Sequence, residues 1–145
     1  LAFLRFVKSV IMGDRRHFTP TPLSADDGQH RRLDGDTLLI VVSTLHRLVL
    51  RFNPFWGEEG APLRWTAIRH GAPRLFWRLP AVVRGKRPFG RAEDGHAGYV
   101  SHNSHTLSLC FDGGYIVDGE FFQHRSADGP LRLSVAGRLS FVGLS

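Results

Sequence analysis

The sequence predicts a mainly β fold, an antiparallel β-sandwich with one or two small helices. Glycine and proline, with 16 and 8 residues, are spread along the chain, as expected where many short strands are joined by turns. From Tyr99 onward, apolar and polar residues alternate with a period of two, which is typical of strands with one buried face. The 145 residues are sufficient for one domain with a hydrophobic core.

The hydrophobic pattern changes along the first two thirds of the chain. Residues 1–12 have apolar side chains at helical spacing and predict a short helix. The continuous β-branched run at 37–44 predicts a central strand that is buried on both faces, and residues 63–68 predict the next strand. Residues 73–84 return to helical spacing and predict a helix that Pro80 kinks or splits.

The C-terminal part predicts a series of short strands. They are expected at 99–101, 106–111, 115–117, 120–123, 131–135 and 139–142. Within 106–111, Leu107, Leu109 and Phe111 alternate with polar or small residues, so this strand is expected to be half-buried.

Asp-Gly pairs indicate where the chain turns, because both residues tolerate the positive φ of tight turns. Asp26-Asp27-Gly28 and Asp34-Gly35-Asp36 predict two turns in the N-terminal half. Asp112-Gly113 and Asp118-Gly119 predict two strand breaks, and the second leads directly into Glu120.

Composition limits the partners and the compartment. The formal net charge of +6 and the pI of about 10.7 favour anionic partners such as nucleic acid, phosphate-bearing ligands or an acidic membrane surface. One cysteine, Cys110, excludes an internal disulfide framework. No run approaches the roughly 20 apolar residues that span a bilayer. Since no nucleic-acid motif or interleaved aromatic pattern is present, nucleic acid ranks below a membrane surface as a partner.

Basic residues are concentrated in the predicted helix and directly after it. They are Arg74, Arg78, Arg84, Lys86 and Arg87. One interpretation is contact with anionic lipid headgroups, to which each basic residue near a membrane contributes about 1 kcal/mol. The alternative, an ordinary solvated helix face, is equally compatible with this pattern.

Glu120 is the main catalytic candidate. It lies between Val117 and Phe121, and a carboxylate that loses its hydration among apolar side chains becomes a stronger base. The alternative, which local sequence favours, is a hairpin turn followed by a solvated glutamate. The sequence motifs of two other kinds of active site are missing. No serine lies in the nucleophile elbow of a hydrolase, and no glycine-rich phosphate loop leads into a helix.

The order of motifs resembles a known family. The residues that carry the resemblance are Asn53-Pro54-Phe55-Trp56-Gly57-Glu58-Glu59-Gly60, Pro62-Leu63-Arg64-Trp65-Thr66-Ala67-Ile68, Val117-Asp118-Gly119-Glu120 and Gly129-Pro130-Leu131-Arg132-Leu133-Ser134-Val135. The predicted helix at 73–84 lies between the second and third of these segments. This succession of elements resembles the C-terminal β-sandwich half of the bacterial diacylglycerol kinase and lipid kinase family, which is similar to sphingosine kinases.

The resemblance implies an activity and roles for several residues. It implies ATP-dependent phosphorylation of diacylglycerol or a similar lipid alcohol, with Glu120 as the general base. Asp118 is expected to orient the turn or to help organise Mg²⁺ around ATP. The family's acidic loop, commonly Asp-Asp-Gly, binds a structural magnesium, and Glu58 and Glu59 occupy the matching positions. Glutamate is one methylene longer than aspartate, and magnesium demands strict geometry.

The resemblance also implies the organisation of the protein. Residues 1–145 are expected to form a single C-terminal domain, inactive alone, because the family's Gly-Gly-Asp-Gly-Thr nucleotide loop belongs to an N-terminal domain that is absent here. A cytoplasmic, peripherally membrane-associated enzyme with a lipid substrate is expected, and a homodimer is one option. Two rivals are a non-enzymatic β-sandwich that binds membrane surfaces and, ranked lower, a nucleic-acid-binding domain.

Overall fold

The computed structural model describes residues 19–29, 31–45, 48, 52–88 and 98–137. These residues form a six-stranded and a two-stranded antiparallel sheet, with one α-helix among them. The larger sheet contains β1 (Thr21–Asp26), β2 (Arg32–Ser43), β3 (Leu63–Arg69), β4 (Tyr99–Ser104), β5 (Thr106–Phe111) and β8 (Leu131–Ser134). The smaller sheet contains β6 (Gly113–Val117) and β7 (Glu120–His124).

The helix α1 (Leu75–Val83) lies between β3 and β4, and a short 3-10 helix (Ser126–Asp128) precedes β8. The predicted mainly β, antiparallel fold with a small helix is confirmed. Pro80 lies inside α1, which continues past it as one helix. The predicted helix at 1–12 and the predicted strand at 139–142 lie outside the described residues.

The connection between β4 and β5 requires the larger sheet to curve. The strand order is β4-β3-β2-β1-β5-β8, so a flat sheet would separate β4 from β5 by four strand spacings, or about 19 Å. Only His105 lies between these strands, and two Cα steps span at most about 7.6 Å. The sheet therefore bends back on itself, and the register shift between Thr37 and Leu39 where β2 meets β3 provides a local bulge of the kind that bends strands.

Alternating side chains divide the core into two parts. On β3, Trp65 belongs to the larger cluster, whereas Ile68 points to the other face. The larger cluster contains Leu23, Ala25, Leu33, Leu63, Trp65, Ala67, Leu107, Leu109 and Phe111. The smaller cluster contains Trp56, Ile68, Val82 and Tyr99. Since Val82 comes from α1, the helix packs against the second face of the sheet.

Two predictions about β2 were wrong. Residues 37–44 were expected to be buried on both faces, yet most of this stretch is only half-buried, because β1 pairs with β2 no further than Thr37 and residues 39–43 pair with β3 alone. Asp34-Gly35-Asp36 was expected to be a turn, but Gly35 lies within β2 opposite Leu23. Pairing with β1 therefore overrides the local turn preference.

The predicted turn at Asp26-Asp27-Gly28 is confirmed. It determines the position of Arg31. Asp27 is buried, and its Oδ1 accepts hydrogen bonds from the backbone N–H groups of Gln29 and Arg31 at 2.8 and 3.2 Å. This side chain therefore holds the connection between β1 and β2 in one conformation.

The loop before β3 is fixed by buried polar contacts. The hydroxyl of Thr66 donates to the carbonyl of Pro54 at 2.7 Å, and the N–H of Trp56 donates to Ser101 Oγ at 3.1 Å. Thr66 Oγ1 and Ser101 Oγ are themselves hydrogen-bonded at 2.8 Å. Residues 54–56 are thus attached to both β3 and β4, which determines where the following acidic residues lie.

We predict that Gly85→Ala destabilises the fold more than Gly71→Ala. Both glycines have positive φ, 67° and 76°, so each alanine carries a similar conformational cost of about 1–2 kcal/mol. A Cβ on Gly85 would also lie 2.6 Å from the carbonyl oxygen of Asn53, whereas nothing lies within 4 Å of one on Gly71. Overpacking adds about 1–3 kcal/mol. Urea unfolding of both variants measures the difference, and equal losses would contradict the prediction.

Candidate functional site

The Asp118-Gly119 pair forms the tight turn of a β-hairpin, as predicted. Both residues have positive φ, 49° and 90°, which is the requirement of a type I′ turn. Val117 pairs with Glu120 across the turn. Glu120 is therefore the first residue of β7, at the tip of the β6–β7 hairpin.

The base of this hairpin is attached to the larger sheet. Tyr115 packs against Phe111 of β5 with ring centroids 6.1 Å apart, and His124 lies 4.9 Å from the same ring. Asp112 Oδ1 accepts from the N–H of Ser126 at 2.8 Å, and hydrogen bonds from the backbone and side chain of Ser126 lower the pKa of Asp112. The predicted break at Asp112-Gly113 is thus a corner at which the chain leaves the larger sheet.

Glu120 is exposed to solvent, so the interpretation that local sequence favoured, a hairpin turn followed by a solvated glutamate, is confirmed, and the interpretation in which apolar neighbours bury the carboxylate is wrong. The hairpin extends beyond the core, and the neighbouring apolar side chains are themselves exposed. Val117 and Phe122 share the face of Glu120, while Ile116 and Phe121 occupy the opposite face. The exposed fractions of Ile116 and Phe121 are 57% and 65%. The tip therefore presents the Glu120 carboxylate, with exposed Asp118 in the adjoining turn, among uncovered apolar side chains.

Glu59 is held by residues from distant parts of the chain. Arg31 Nη1 and His102 Nδ1 both contact Glu59 Oε1, the latter at 2.8 Å, and the N–H of Asn103 donates to Glu59 Oε2 at 2.9 Å. The side-chain amide of Asn103 also donates to the carbonyl of Glu59 at 2.6 Å. We call Arg31, Glu59, His102 and Asn103 the Glu59 clasp.

The clasp changes the titration of Glu59. Partial burial raises the pKa of this carboxyl, but hydrogen bonds from His102 and from the backbone N–H groups of Glu59 and Asn103 outweigh it, and electrostatic attraction to His102 adds to them. Together they lower the pKa to about 2. Glu59 is therefore ionised throughout the physiological range, as part of the structural framework.

The predicted magnesium site at Glu58 and Glu59 does not fit this geometry. Glu59 uses both of its oxygens within the clasp, and Glu58 Oε1 accepts from Arg87 Nη2 at 3.0 Å. Protein guanidinium groups thus occupy positions where a hard cation would need free carboxylate oxygens. Across the described residues, no group of three or more His, Cys, Asp or Glu side chains converges as metal ligands.

The five basic residues predicted to contact headgroups lie in different environments. Arg74, Arg84 and Lys86 are exposed, whereas Arg78 and Arg87 are partly buried. The ion pair with Glu58 connects Arg87 to the acidic loop. Arg74, Trp77 and Arg78 line an open surface groove of about 510 Å³. No helix in the described ranges is long and apolar enough to cross a membrane.

Sequence reasoning missed the clasp and Trp77. The clasp has no local signal, since Arg31 and His102 lie 28 and 43 residues from Glu59. For Trp77 a signal existed, because this residue lies outside the helical spacing of Leu75, Leu79 and Val82 and is close to Arg74 and Arg78. An aromatic residue off the apolar face of a helix indicates an outward position.

No protein-family model and no curated protein matches this chain. A solved structure described as a diacylglycerol kinase from Bacillus anthracis str. Sterne is similar to it, with a TM-score of 0.48 and 10% sequence identity. The similarity covers 87% of this chain and 42% of that chain, so this chain spans less than half of the length of the solved structure.

We predict that the clasp stabilises the fold in a pH-dependent manner. Since the pKa of Glu59 is lowered to about 2 from an ordinary 4.5, the stabilisation is complete above about pH 4.5 and is lost as the pH falls through 2. After allowance for solvent screening, Glu59→Gln should lower the free energy of unfolding by about 1–2 kcal/mol at neutral pH.

Urea unfolding between pH 7 and pH 2 tests this prediction, with Asp36→Asn as the control because Asp36 is an exposed carboxylate outside the clasp. The difference between wild type and Glu59→Gln should shrink toward pH 2. A difference that does not change with pH would contradict the assignment.

We also predict that Mg²⁺ and EDTA leave the Tm of this chain unchanged, because the acidic loop is already neutralised by Arg31 and Arg87. A metal present at 100 times its Kd would add about 2.7 kcal/mol to the free energy of unfolding, which amounts to several degrees in Tm. Differential scanning calorimetry with Mg²⁺ and with EDTA measures the Tm in each condition. A fall in Tm with EDTA would contradict the prediction and show that the acidic loop binds a metal ion.

Proposed function

We propose that this chain is the lipid-binding half of a lipid kinase that transfers phosphate from ATP to diacylglycerol or a similar lipid alcohol. The observation that carries the proposal is the β6–β7 hairpin. Its tip presents the Glu120 carboxylate to solvent next to Val117 and Phe122, two apolar side chains that are also exposed. Exposed apolar groups around a polar group are typical of a surface that is covered by a ligand or partner.

A lipid alcohol matches both parts of this surface. Its hydroxyl requires a proton acceptor, and its acyl chains require apolar contacts such as Val117 and Phe122, which share the face of Glu120. When lipid covers the tip, water leaves the carboxylate, and a desolvated carboxylate is a stronger base. The exposure of Glu120 in this chain is thus compatible with a role in a complex in which the hairpin is covered.

In the proposed reaction, Glu120 accepts the proton of the lipid hydroxyl while the oxygen of that hydroxyl forms a bond to the γ-phosphorus of ATP. The bond between that phosphorus and the β,γ-bridging oxygen breaks, ADP leaves, and the proton later passes from Glu120 to water. Asp118 fixes the turn that carries Glu120. We propose that ATP and its Mg²⁺ are bound by residues outside this chain, and they supply the phosphoryl donor and charge neutralisation.

The proposed setting is the cytoplasmic surface of a membrane, where an acceptor lipid would be found. A second candidate function is a non-enzymatic module that binds anionic membranes. The observation in its favour is the exposure of Arg74, Arg84 and Lys86. The two functions differ in one requirement, because only the kinase depends on Glu120.

We predict that Glu120→Gln reduces phosphate transfer from labelled ATP to diacylglycerol in mixed micelles by about 100- to 10,000-fold, the usual contribution of a general base. The complete reading frame that contains this chain is the enzyme to assay. Asp128→Asn is the matched control, because Asp128 is also exposed and lies near the base of the hairpin. Full activity in Glu120→Gln would show that another residue is the general base. No activity in wild type with any lipid alcohol, despite bound ATP, would favour the membrane-binding module.

A further inference from the structure

Trp77 is an unusually exposed aromatic side chain. Its exposed fraction is 86%, whereas those of Trp56 and Trp65 are 8% and 1%. An indole has a large apolar surface and one polar N–H group, so tryptophan is enriched where one end of the side chain is apolar and the other is wet. Its position on the surface of α1 therefore indicates a binding role.

The helix α1 directs Trp77 away from the core. Val82 is buried in the smaller cluster, and Leu75 packs against the same cluster. Arg84 follows Trp77 by seven residues, so both lie on the same face of the helix. Trp77 also lines the surface groove of about 510 Å³ together with Arg74 and Arg78. The outer face of α1 thus combines an indole with guanidinium groups.

The charge around Trp77 favours an anionic partner. Arg74, Arg84 and Lys86 are exposed, and no acidic residue occurs between Glu59 and Glu93. The first turn of α1 contains no acidic residue either, although the amino terminus of a helix carries partial positive charge. Anionic groups at this surface would therefore relieve repulsion among like charges.

We infer that the outer face of α1 docks on an anionic lipid bilayer, with the Trp77 indole at headgroup level and Arg74, Arg84 and Lys86 bound to lipid phosphates. Tryptophan concentrates at membrane–water interfaces, and arginine and lysine are attracted to anionic leaflets. A single indole surrounded by cations suits this interface better than a protein partner, whose contact would require a wider apolar core. The inference rests on the proposed function, since this surface would bring the enzyme to its lipid.

The test uses the tryptophan fluorescence of the protein with vesicles of phosphatidylcholine and phosphatidylserine, some containing brominated chains. In wild type, vesicles should shift the emission to shorter wavelength, and brominated lipid should quench it. Trp77→Phe should abolish both effects and leave the emission of the buried tryptophans unchanged. Vesicles of phosphatidylcholine alone should bind weakly, and added salt should weaken binding to the anionic vesicles.

Charge variants provide a matched comparison. Arg74→Asn with Lys86→Gln should weaken vesicle binding about 25-fold, since each basic residue near the surface contributes about fivefold. Asparagine is chosen at Arg74 because φ is +55° there and asparagine tolerates that conformation. Arg125→Gln with Arg132→Gln removes the same charge from exposed positions outside α1, and this pair should bind like wild type.

Three outcomes would overturn the inference. These are vesicle-dependent quenching that persists in Trp77→Phe, equal weakening by the two charge pairs, and a Trp77 already shielded from dissolved quencher without lipid, which would indicate a second copy on this face. Phosphate transfer by wild type in uncharged detergent micelles separates this inference from the proposed function. Transfer without vesicle binding rejects docking alone, and vesicle binding without transfer rejects the kinase assignment alone.

Discussion

The one-residue connection between β4 and β5 determines the shape of the larger sheet. The two strands occupy the first and fifth places in the larger sheet, so the sheet must curve for His105 alone to join them. Curvature brings the turn between β1 and β2 close to β4. There Arg31, which is positioned by the buried Asp27, meets His102 and Glu59. A requirement of chain connectivity thus determines where the acidic loop is held.

The acidic residues consequently have different physical roles. Glu59 is ionised and held by a guanidinium, an imidazole and a backbone N–H, so it belongs to the framework. Glu120 lies at the exposed tip of a two-stranded sheet whose base is attached to the core through Tyr115. A rigid framework that carries an uncovered carboxylate suits a site completed by a partner or a substrate. Neither role depends on a metal bound to the acidic loop.

Local patterns predicted the elements whose stability is itself local. Thr106–Phe111 has the predicted alternation of buried and more accessible residues, and Asp118-Gly119 forms the predicted tight turn. Predictions failed where a distant strand decided the outcome. Gly35 has an extended strand conformation because it pairs with Leu23, and residues 39–43 are half-buried because β1 does not reach them. Turn preferences of a few tenths of a kcal/mol are readily overridden by such pairing.

Local sequence patterns are enough to predict the period-two strands, the hairpin turn, the helix with its inward Val82 and the excess of positive charge, because each depends on residues close together in the chain. Which of these features face solvent depends instead on packing between distant parts of the chain. The Glu59 clasp brings together Arg31 and His102, which lie 71 positions apart in the chain. The exposure of Glu120 and Trp77 likewise depends on which parts of the chain pack next to them. Contacts of this kind follow from the curvature of the sheet, which no local pattern encodes.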